Sequence, residues 1–226
     1  MKYAVFGDDQ LQEEAVLEND SIEIIKALLE KYHPVKTILS SVIDHNTEIE
    51  TFLASTTDFH KLSYHSKLPF TIAVSKPATI GADRLALMAA AVDLFPDKNN
   101  LVIGLGSAIT YNFVNKNKEF LGGSISPGMD MRFKALQIFT AKLPLVKENW
   151  NFPLTGYDTE TNILSGVLLG MVKEIDGIIN AYKERYNNLN VLLTGGNARY
   201  FLTHLDNIYL DEQLIFKGLY AISHYN

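Results

Sequence analysis

The sequence has 226 residues, of which 47% are apolar and 20% are charged, so the chain is long enough to bury a sizeable core. Its formal charge is −6 and its lysine and arginine residues are scattered, which argues against direct binding to nucleic acid or to an anionic membrane. It has no cysteine, so disulfides and thiolate metal sites are excluded. It also has no apolar run long enough to span a bilayer, and a cytoplasmic protein is predicted.

The first part of the chain alternates strands and helices. Two apolar segments, 1–6 and 11–17, flank a polar stretch with a glycine and predict a hairpin. Apolar residues at helical spacing predict a helix over residues 21–32, with Asp20 as its cap. Further strands are predicted at 37–42, 61–64 and 70–74, and further helices at 47–54 and 82–94.

A polar stretch at residues 97–100 is the most linker-like part of the sequence. It predicts a division into halves comprising residues 1–97 and 98–226. After it, strands are predicted at 101–105, 110–115, 120–125 and 191–194, and helices at 129–140, 159–186 and 211–224. This order is typical of an α/β protein.

Three glycine-rich segments follow predicted strands. The segment GLGSAIT (104–110) brings glycines and hydroxyls to the end of an apolar strand, where backbone N–H groups can hold a phosphate. It lacks the third glycine and the following helix of a dinucleotide-binding fingerprint. The segments at 122–128 and 194–197 suit a ligand and tight packing equally well. From the residues alone, both interpretations stay open at each segment.

The segment GADR (81–84) opens a predicted helix. Asp83 would lie in the first turn, where the helix dipole favours a carboxylate, and Arg84 could bind an anion. Ordinary helix capping explains the same residues more simply. The six histidines lack metal-binding spacing and no serine stands in a nucleophile elbow, so neither a zinc site nor covalent serine catalysis is expected.

Taken in order, six segments resemble the signature of the type III pantothenate kinases. That signature runs P-x-x-x-G-x-D-R, D-x-G-T-A-x-T, L-G-G-x-I-S-P-G, T-A-K-L-P, N-T followed by S-G, and T-G-G. The matching segments here are PATIGADR (77–84), GLGSAIT (104–110), LGGSISPG (121–128), TAKLP (140–144), DT (158–159) with SG (165–166), and TGG (194–196). The resemblance covers essentially the whole chain. It implies an α/β fold of two actin-like (ribonuclease H-like) halves, with mixed sheets flanked by helices.

The resemblance also implies an activity and a role for each matching residue. The protein would use ATP and Mg²⁺ to phosphorylate pantothenate to 4'-phosphopantothenate in coenzyme A biosynthesis, and it would form a homodimer. Asp83 would be the general base. The residues implied to contact pantothenate are Gly81, Ala82, Arg84 and Thr159. The residues implied to bind ATP are Gly106, Ser107, Ala108 and Thr110.

Three departures from the family's pattern concern the handling of phosphate and substrate. Gly104 stands where the family has an aspartate that ligates an activating K⁺ or NH4⁺ ion. Val74 replaces a tyrosine beside the substrate. The family's first strand and its phosphate loop, D-x-G-N-T, are expected to be missing ahead of residues 1–6. The departures leave a second interpretation open, a non-catalytic relative that acts as a ligand-binding, regulatory or partner protein.

Overall fold

The computed structural model describes residues 1–42 and 45–226. These residues form two compact units, one containing Met1–Asp93 with Leu214–Asn226 and the other containing Leu94–Gln213. The division into halves at 97/98 stays a prediction, and the nearest change of unit lies between Asp93 and Leu94. No helix in the described part of the chain is both long and apolar enough to cross a membrane.

The first unit begins with the predicted hairpin. Strands β1 (Lys2–Gly7) and β2 (Gln10–Val16) are antiparallel, and Asp8 and Asp9 form the turn with positive φ. Strand β3 (Lys36–Leu39) pairs in parallel with β4 (Asp58–Lys61). The other elements are α1 (Ile22–Tyr32), α2 (Thr47–Thr56), the short strand β5 (Thr71–Ile72), a 3₁₀ turn (Pro77–Thr79) and α3 (Ala82–Leu94).

Helix α1 confirms the prediction for residues 21–32, but its cap differs. The Ser21 hydroxyl accepts the Ile24 N–H at 3.5 Å and caps the helix. The carboxylate of Asp20 accepts the N–H of Asn46 at 3.2 Å, and Asn46 is itself the cap of α2. The prediction that Asp20 is the cap is therefore wrong, because this carboxylate joins the starts of two helices.

The second unit is built on a mixed sheet. Strands β6 (Asn99–Leu105), β7 (Ala108–Val114) and β8 (Glu119–Pro127) form the predicted antiparallel meander. Strand β9 (Leu189–Thr194) is parallel to β6, and β10 (Tyr209–Leu210) is parallel to β9, so within this unit the strand order is β10-β9-β6-β7-β8. Consecutive residues of β6 are completely buried, which explains its continuous apolar run.

Helices pack against this sheet. They are α4 (Met129–Ile138), α5 (Thr159–Leu164), a π-helical turn (Ser165–Leu169), α6 (Gly170–Arg185), α7 (Ala198–Phe201) and a 3₁₀ turn (Leu202–His204). The helix predicted over 159–186 therefore contains a π-helical turn. Helix α7 and strand β10 escaped prediction because they are too short to show a period.

The last helix, α8 (Leu214–Ser223), belongs to the first unit. Its Gly218 lies directly against the backbone of α3, where an added Cβ would overlap the carbonyl group of Ala86. The alanines of α3 at 86, 89, 90 and 91 are almost completely buried. The two helices therefore approach each other through residues with little or no side chain.

We predict that Gly218→Ala destabilises the protein by about 1–3 kcal/mol, because the two backbones must separate to admit a methyl group. Gly177→Ala is the matched control. Gly177 is an exposed glycine inside α6 with no atom within 4 Å of an added Cβ, so alanine there should stabilise the protein by about 0.5–1 kcal/mol. Urea denaturation measures both changes. Equal effects of the two substitutions would contradict the close approach at Gly218.

Candidate functional site

In the first unit, the predicted base lies at the start of α3. The Gly81 carbonyl accepts the N–H groups of Arg84 at 3.0 Å and Leu85 at 3.3 Å, which begins the helix. The Asp83 carboxylate folds back over Gly81, and a Cβ at residue 81 would overlap its Oδ1 atom. Glycine at this position therefore makes room for the carboxylate. The Asp83 residue is partly exposed.

The neighbours of Asp83 have different environments. Ala82 is buried. Arg84 is partly buried, and this burial lowers the pKa of its guanidinium group while the charge of Asp83 opposes the shift. An arginine keeps its positive charge under these conditions, so the segment 81–84 combines a partly exposed aspartate with a cation that is partly removed from water.

In the second unit, the predicted phosphate-binding residues lie at the tight turn between β6 and β7. Gly106 and Ser107 are the two residues between these strands, and both are exposed. The Gly106 N–H donates to the Ala108 carbonyl at 3.1 Å, and the Gly128 N–H, just before α4, donates to the Ser107 carbonyl at 3.1 Å. We call Gly106 and Ser107 the glycine turn.

Two other glycine-rich segments pack close by, one against the glycine turn itself and one against Leu105, the residue before it. A Cβ at Gly128 would lie 2.8 Å from the carbonyl carbon of Ser107, and one at Gly195 would lie 2.7 Å from the carbonyl carbon of Leu105. Gly195 has a φ of +100°, and two residues later the Asn197 N–H donates to the Leu105 carbonyl at 3.2 Å. The structure thus assigns Gly128 and Gly195 to packing, a question that the sequence left open.

The interior of the sheet behind the glycine turn carries polar side chains. Gly104 pairs with Thr110 on β7 and with Thr194 on β9. The fully buried amide of Asn112 donates to the Thr110 hydroxyl at 3.2 Å and to the Val102 carbonyl at 3.4 Å. Gly104 is therefore paired with a threonine on each neighbouring strand, Thr110 and Thr194. Residue 104 itself supplies no carboxylate.

Thr159 begins α5 and lines a cavity of about 800 Å³ in the second unit. Asp158 caps this helix by accepting the Thr161 N–H at 2.8 Å and the Thr161 hydroxyl at 2.7 Å. These hydrogen bonds lower the pKa of the Asp158 carboxyl. The cavity combines polar and apolar groups, among them Arg132, Leu136, Phe139, Thr140, Thr159 and Asn162.

A smaller cavity, of about 420 Å³, lies where β6 begins. Its lining includes Asn99, Lys116 and Arg185. None of the residues predicted to bind a ligand belongs to it, because the glycine turn follows the other end of β6. In the described ranges, no group of three or more histidine, aspartate or glutamate side chains could hold a metal ion.

Sequence reasoning missed one polar network in the second unit. The side chain of Arg132 contacts Ser126, the Pro127 carbonyl and Glu174, and Glu174 also contacts Tyr111. Arg132 and Glu174 are 42 residues apart in the sequence, and no local pattern links them. Their contact is therefore seen only in the three-dimensional structure.

Similarity to solved structures establishes the fold class. The chain superimposes on a protein described as a 2-dehydro-3-deoxygalactonokinase from Sinorhizobium meliloti, with a TM-score of 0.58, 13% identity and coverage of 99% of this chain and 94% of that one. A glucokinase from an Antarctic psychrotroph gives a TM-score of 0.55, 10% identity and coverage of 100% and 95%. The protein therefore has the actin-like α/β fold of sugar kinases, with a mixed sheet flanked by helices, as predicted.

Sequence similarity then establishes the family. Residues 2–181 match the family profile described as type III pantothenate kinase. The type III pantothenate kinase of Cytophaga hutchinsonii is 46% identical over 194 residues, which cover 85% of this chain and 82% of that protein. The type III pantothenate kinase of Christiangramia forsetii is 38% identical over 229 residues, which cover 100% of this chain and 94% of that protein. The chain belongs to the type III pantothenate kinase family.

The cap of α5 yields a prediction about stability and pH. The pKa of Asp158 is lowered in the folded protein. The charged carboxylate therefore contributes fully to the stability of the fold above the ordinary aspartate pKa of about 4. This contribution is lost as the pH falls through the pKa that Asp158 has in the folded protein. We expect Asp158→Ala to lower the thermal midpoint at pH 7, and the difference from the unsubstituted protein to shrink below about pH 4.

Asp158→Asn is the control, because a neutral amide keeps a cap acceptor that does not titrate in this range. The thermal midpoint of Asp158→Asn should exceed that of Asp158→Ala by the same amount at every pH between 7 and 3. A thermal difference between the aspartate and alanine proteins that persists unchanged to pH 2 would contradict a charged cap.

Proposed function

We propose that this protein transfers the γ-phosphoryl group of ATP to the primary hydroxyl of pantothenate, in the cytoplasm where ATP is supplied. The observation that carries the proposal is the glycine turn, an exposed pair of small residues that Gly128 contacts directly, while Gly195 packs against the preceding residue, Leu105. Family membership identifies pantothenate as the acceptor to test. Phosphoryl transfer depends mainly on positioning and on neutralising phosphate charge, and a rigid turn of small residues suits that task.

The second unit would hold the nucleotide. Gly106 and Ser107 leave room for close approach by a phosphate, and the hydroxyls of Ser107 and Thr110 can donate to its oxygens. Ala108 continues the same backbone into β7. Mg²⁺ would arrive as the complex with ATP, bound to the phosphates, as is usual for kinases.

The first unit would supply the base. The Asp83 carboxylate would accept the proton of the pantothenate hydroxyl as that oxygen bonds to the γ-phosphorus and the bond to the β-phosphate oxygen breaks, releasing ADP. Gly81, Ala82 and Arg84 would orient the acceptor, with Thr159 as a further contact. Arg84 would offer its planar guanidinium to an oxygen of the substrate.

An activating monovalent cation does not fit this chain well at residue 104. The neighbours of Gly104 in register are Thr110 and Thr194, which offer neutral hydroxyls and no carboxylate. We therefore assign no step to K⁺ or NH4⁺ and expect turnover in K⁺ to be no faster than in Na⁺.

A homodimer is the assembly that the exposed surface of the second unit supports. Phe139, which lines the cavity that contains Thr159, is 84% exposed. Three further large apolar side chains of the second unit are also exposed and lie near lining residues in the sequence: Ile138 (68% exposed), Leu154 (78%) and Tyr157 (80%). Exposed large apolar residues are typical of an interface. A second copy of the chain would cover them and enclose the cavity.

The activity test compares two aspartates of the same helix. We expect the unsubstituted protein to phosphorylate pantothenate with Mg²⁺ and ATP, and Asp83→Asn to lower kcat by about 10²- to 10⁴-fold because the general base is lost. Asp93→Asn is the matched control, since Asp93 is exposed near the other end of α3 and should leave kcat unchanged. A coupled assay that detects ADP and a mass measurement of the product check both expectations.

Two outcomes of that assay would contradict the proposal. Full activity of Asp83→Asn would remove Asp83 from the mechanism. No turnover by a folded protein that still binds ATP would favour the non-catalytic relative, which Gly104 in place of an aspartate also favours.

Sedimentation velocity tests the proposed dimer. We expect the 25.3 kDa chain to sediment as a dimer, and Phe139→Glu to shift it to monomer because a charge would be buried in the interface. Val35→Glu is the control, since Val35 is equally exposed but lies in the first unit. Monomer at all micromolar concentrations for the unsubstituted protein would rule out the dimer.

A further inference from the structure

Arg132, near the start of α4, binds the end of β8 across the corner that joins β8 to this helix. Its Nε donates to the Pro127 carbonyl at 2.8 Å, and a terminal nitrogen donates to the Ser126 hydroxyl at 2.8 Å. The same nitrogen forms an ion pair with the Glu174 carboxylate of α6. One guanidinium group thus joins the end of a strand, the start of a helix and a second helix.

Glu174 extends this network to the strand that follows the glycine turn. Its other carboxylate oxygen accepts the hydroxyl of Tyr111, on β7, at 3.0 Å. Burial would raise the pKa of the Glu174 carboxyl, but the hydrogen bonds from Arg132 and its neighbours outweigh burial and lower it. Burial and the Glu174 charge together raise the pKa of the Tyr111 hydroxyl. Both shifts keep the network in one state, with a charged carboxylate and a neutral phenol.

The corner held by Arg132 is the part of the fold that contacts the glycine turn. Ser126 and Pro127 pair in register with Ile109 and Ala108, the first residues after the turn. The next residue, Gly128, donates its N–H to the Ser107 carbonyl. Any shift of the corner therefore moves the β-pairing and the hydrogen bond that fix the glycine turn.

We infer that Arg132 is a positioning residue for phosphate binding: through Ser126, Pro127 and Gly128 it sets the geometry of the glycine turn. The inference rests on the proposed nucleotide site and deepens it. The affinity for the phosphate groups of ATP then depends on Arg132, which belongs to the network of Arg132, Glu174 and Tyr111.

The geometry distinguishes this ion pair from an ordinary surface pair. The Arg132 and Glu174 side chains are 21% and 24% exposed, whereas those of the Arg199–Glu212 pair are 75% and 38% exposed. Arg199 binds the Glu212 carboxylate at 2.6 Å through each of two nitrogens. Arg132 uses its planar fork to reach three different acceptors, which the single ammonium group of a lysine cannot reproduce.

The test measures the binding of Mg²⁺-ATP and of adenosine by calorimetry. Pantothenate is left out, because Arg132 also lines the cavity that contains Thr159, which is proposed to contact pantothenate. Arg132→Lys should weaken ATP binding about tenfold or more, the loss expected when a charge-assisted hydrogen bond is broken. Adenosine, which has no phosphate, should bind both proteins equally. Glu174→Gln should weaken ATP binding less, because its amide oxygen can still accept from Arg132.

Arg185→Lys is the control, since Arg185 is exposed at the far end of α6, the helix that carries Glu174. It should bind ATP and adenosine like the unsubstituted protein. Arg132→Met is measured alongside, and if it does not fold, Arg132→Lys and Glu174→Gln decide.

Three results would overturn the inference: unchanged ATP affinity in Arg132→Lys, an equal loss of ATP and adenosine affinity, or no ATP binding by the unsubstituted protein. Failure of the proposed function is a separate result. In that case ATP binding would depend on Arg132 while pantothenate was not phosphorylated.

Discussion

Around the turn between β6 and β7, the second unit depends on two places where one backbone approaches another more closely than any side chain would allow. At Gly128 the start of α4 meets the glycine turn, and at Gly195 the end of β9 meets the last residue of β6. A Cβ at either position would overlap a backbone carbonyl group. Main-chain atoms cannot move aside as a flexible side chain can, so these contacts fix the turn between β6 and β7 without contributing side chains to its exposed surface.

The first unit has one close approach of the same kind, where Gly218 lets α8 lie against the backbone of α3. Gly81 has a different use, because it leaves room for the side-chain carboxylate of Asp83. The polar network of Arg132, Glu174 and Tyr111 adds directional bonds where close packing alone would leave the β8–α4 corner free to shift.

Much of this architecture could be predicted from the sequence. Helix α1 followed from apolar periodicity, α3 from its alanine-rich sequence, and the meander of β6, β7 and β8 from three successive strand-like segments. The order of the motifs identified the family. The cap of α1 was misassigned because Asp20 and Ser21 are both good caps, and only the position of Asn46 shows which one is engaged elsewhere. The π-helical turn inside 159–186 has no periodic signal that distinguishes it from an α-helix.

The candidate site was predictable in part, for a physical reason. Glycines mark places where backbone must come close, but the sequence does not say whether a ligand or another segment occupies the space. The structure shows packing at Gly128 and Gly195, room for a Cβ without overlap at Gly106, and open space beside Gly196. Arg132 and Glu174 were not predicted, because their interaction joins two segments that are distant in the sequence and no local pattern indicates it.

The proposed function depends on phosphate binding at the glycine turn. Amide chemical shifts of ¹⁵N-labelled protein, followed as Mg²⁺-ATP and then adenosine are added to separate samples, test it most directly. We expect the amide signals of Gly106, Ser107 and Ala108 to shift strongly with ATP and hardly with adenosine. ATP binding that leaves these three amides unmoved would contradict it.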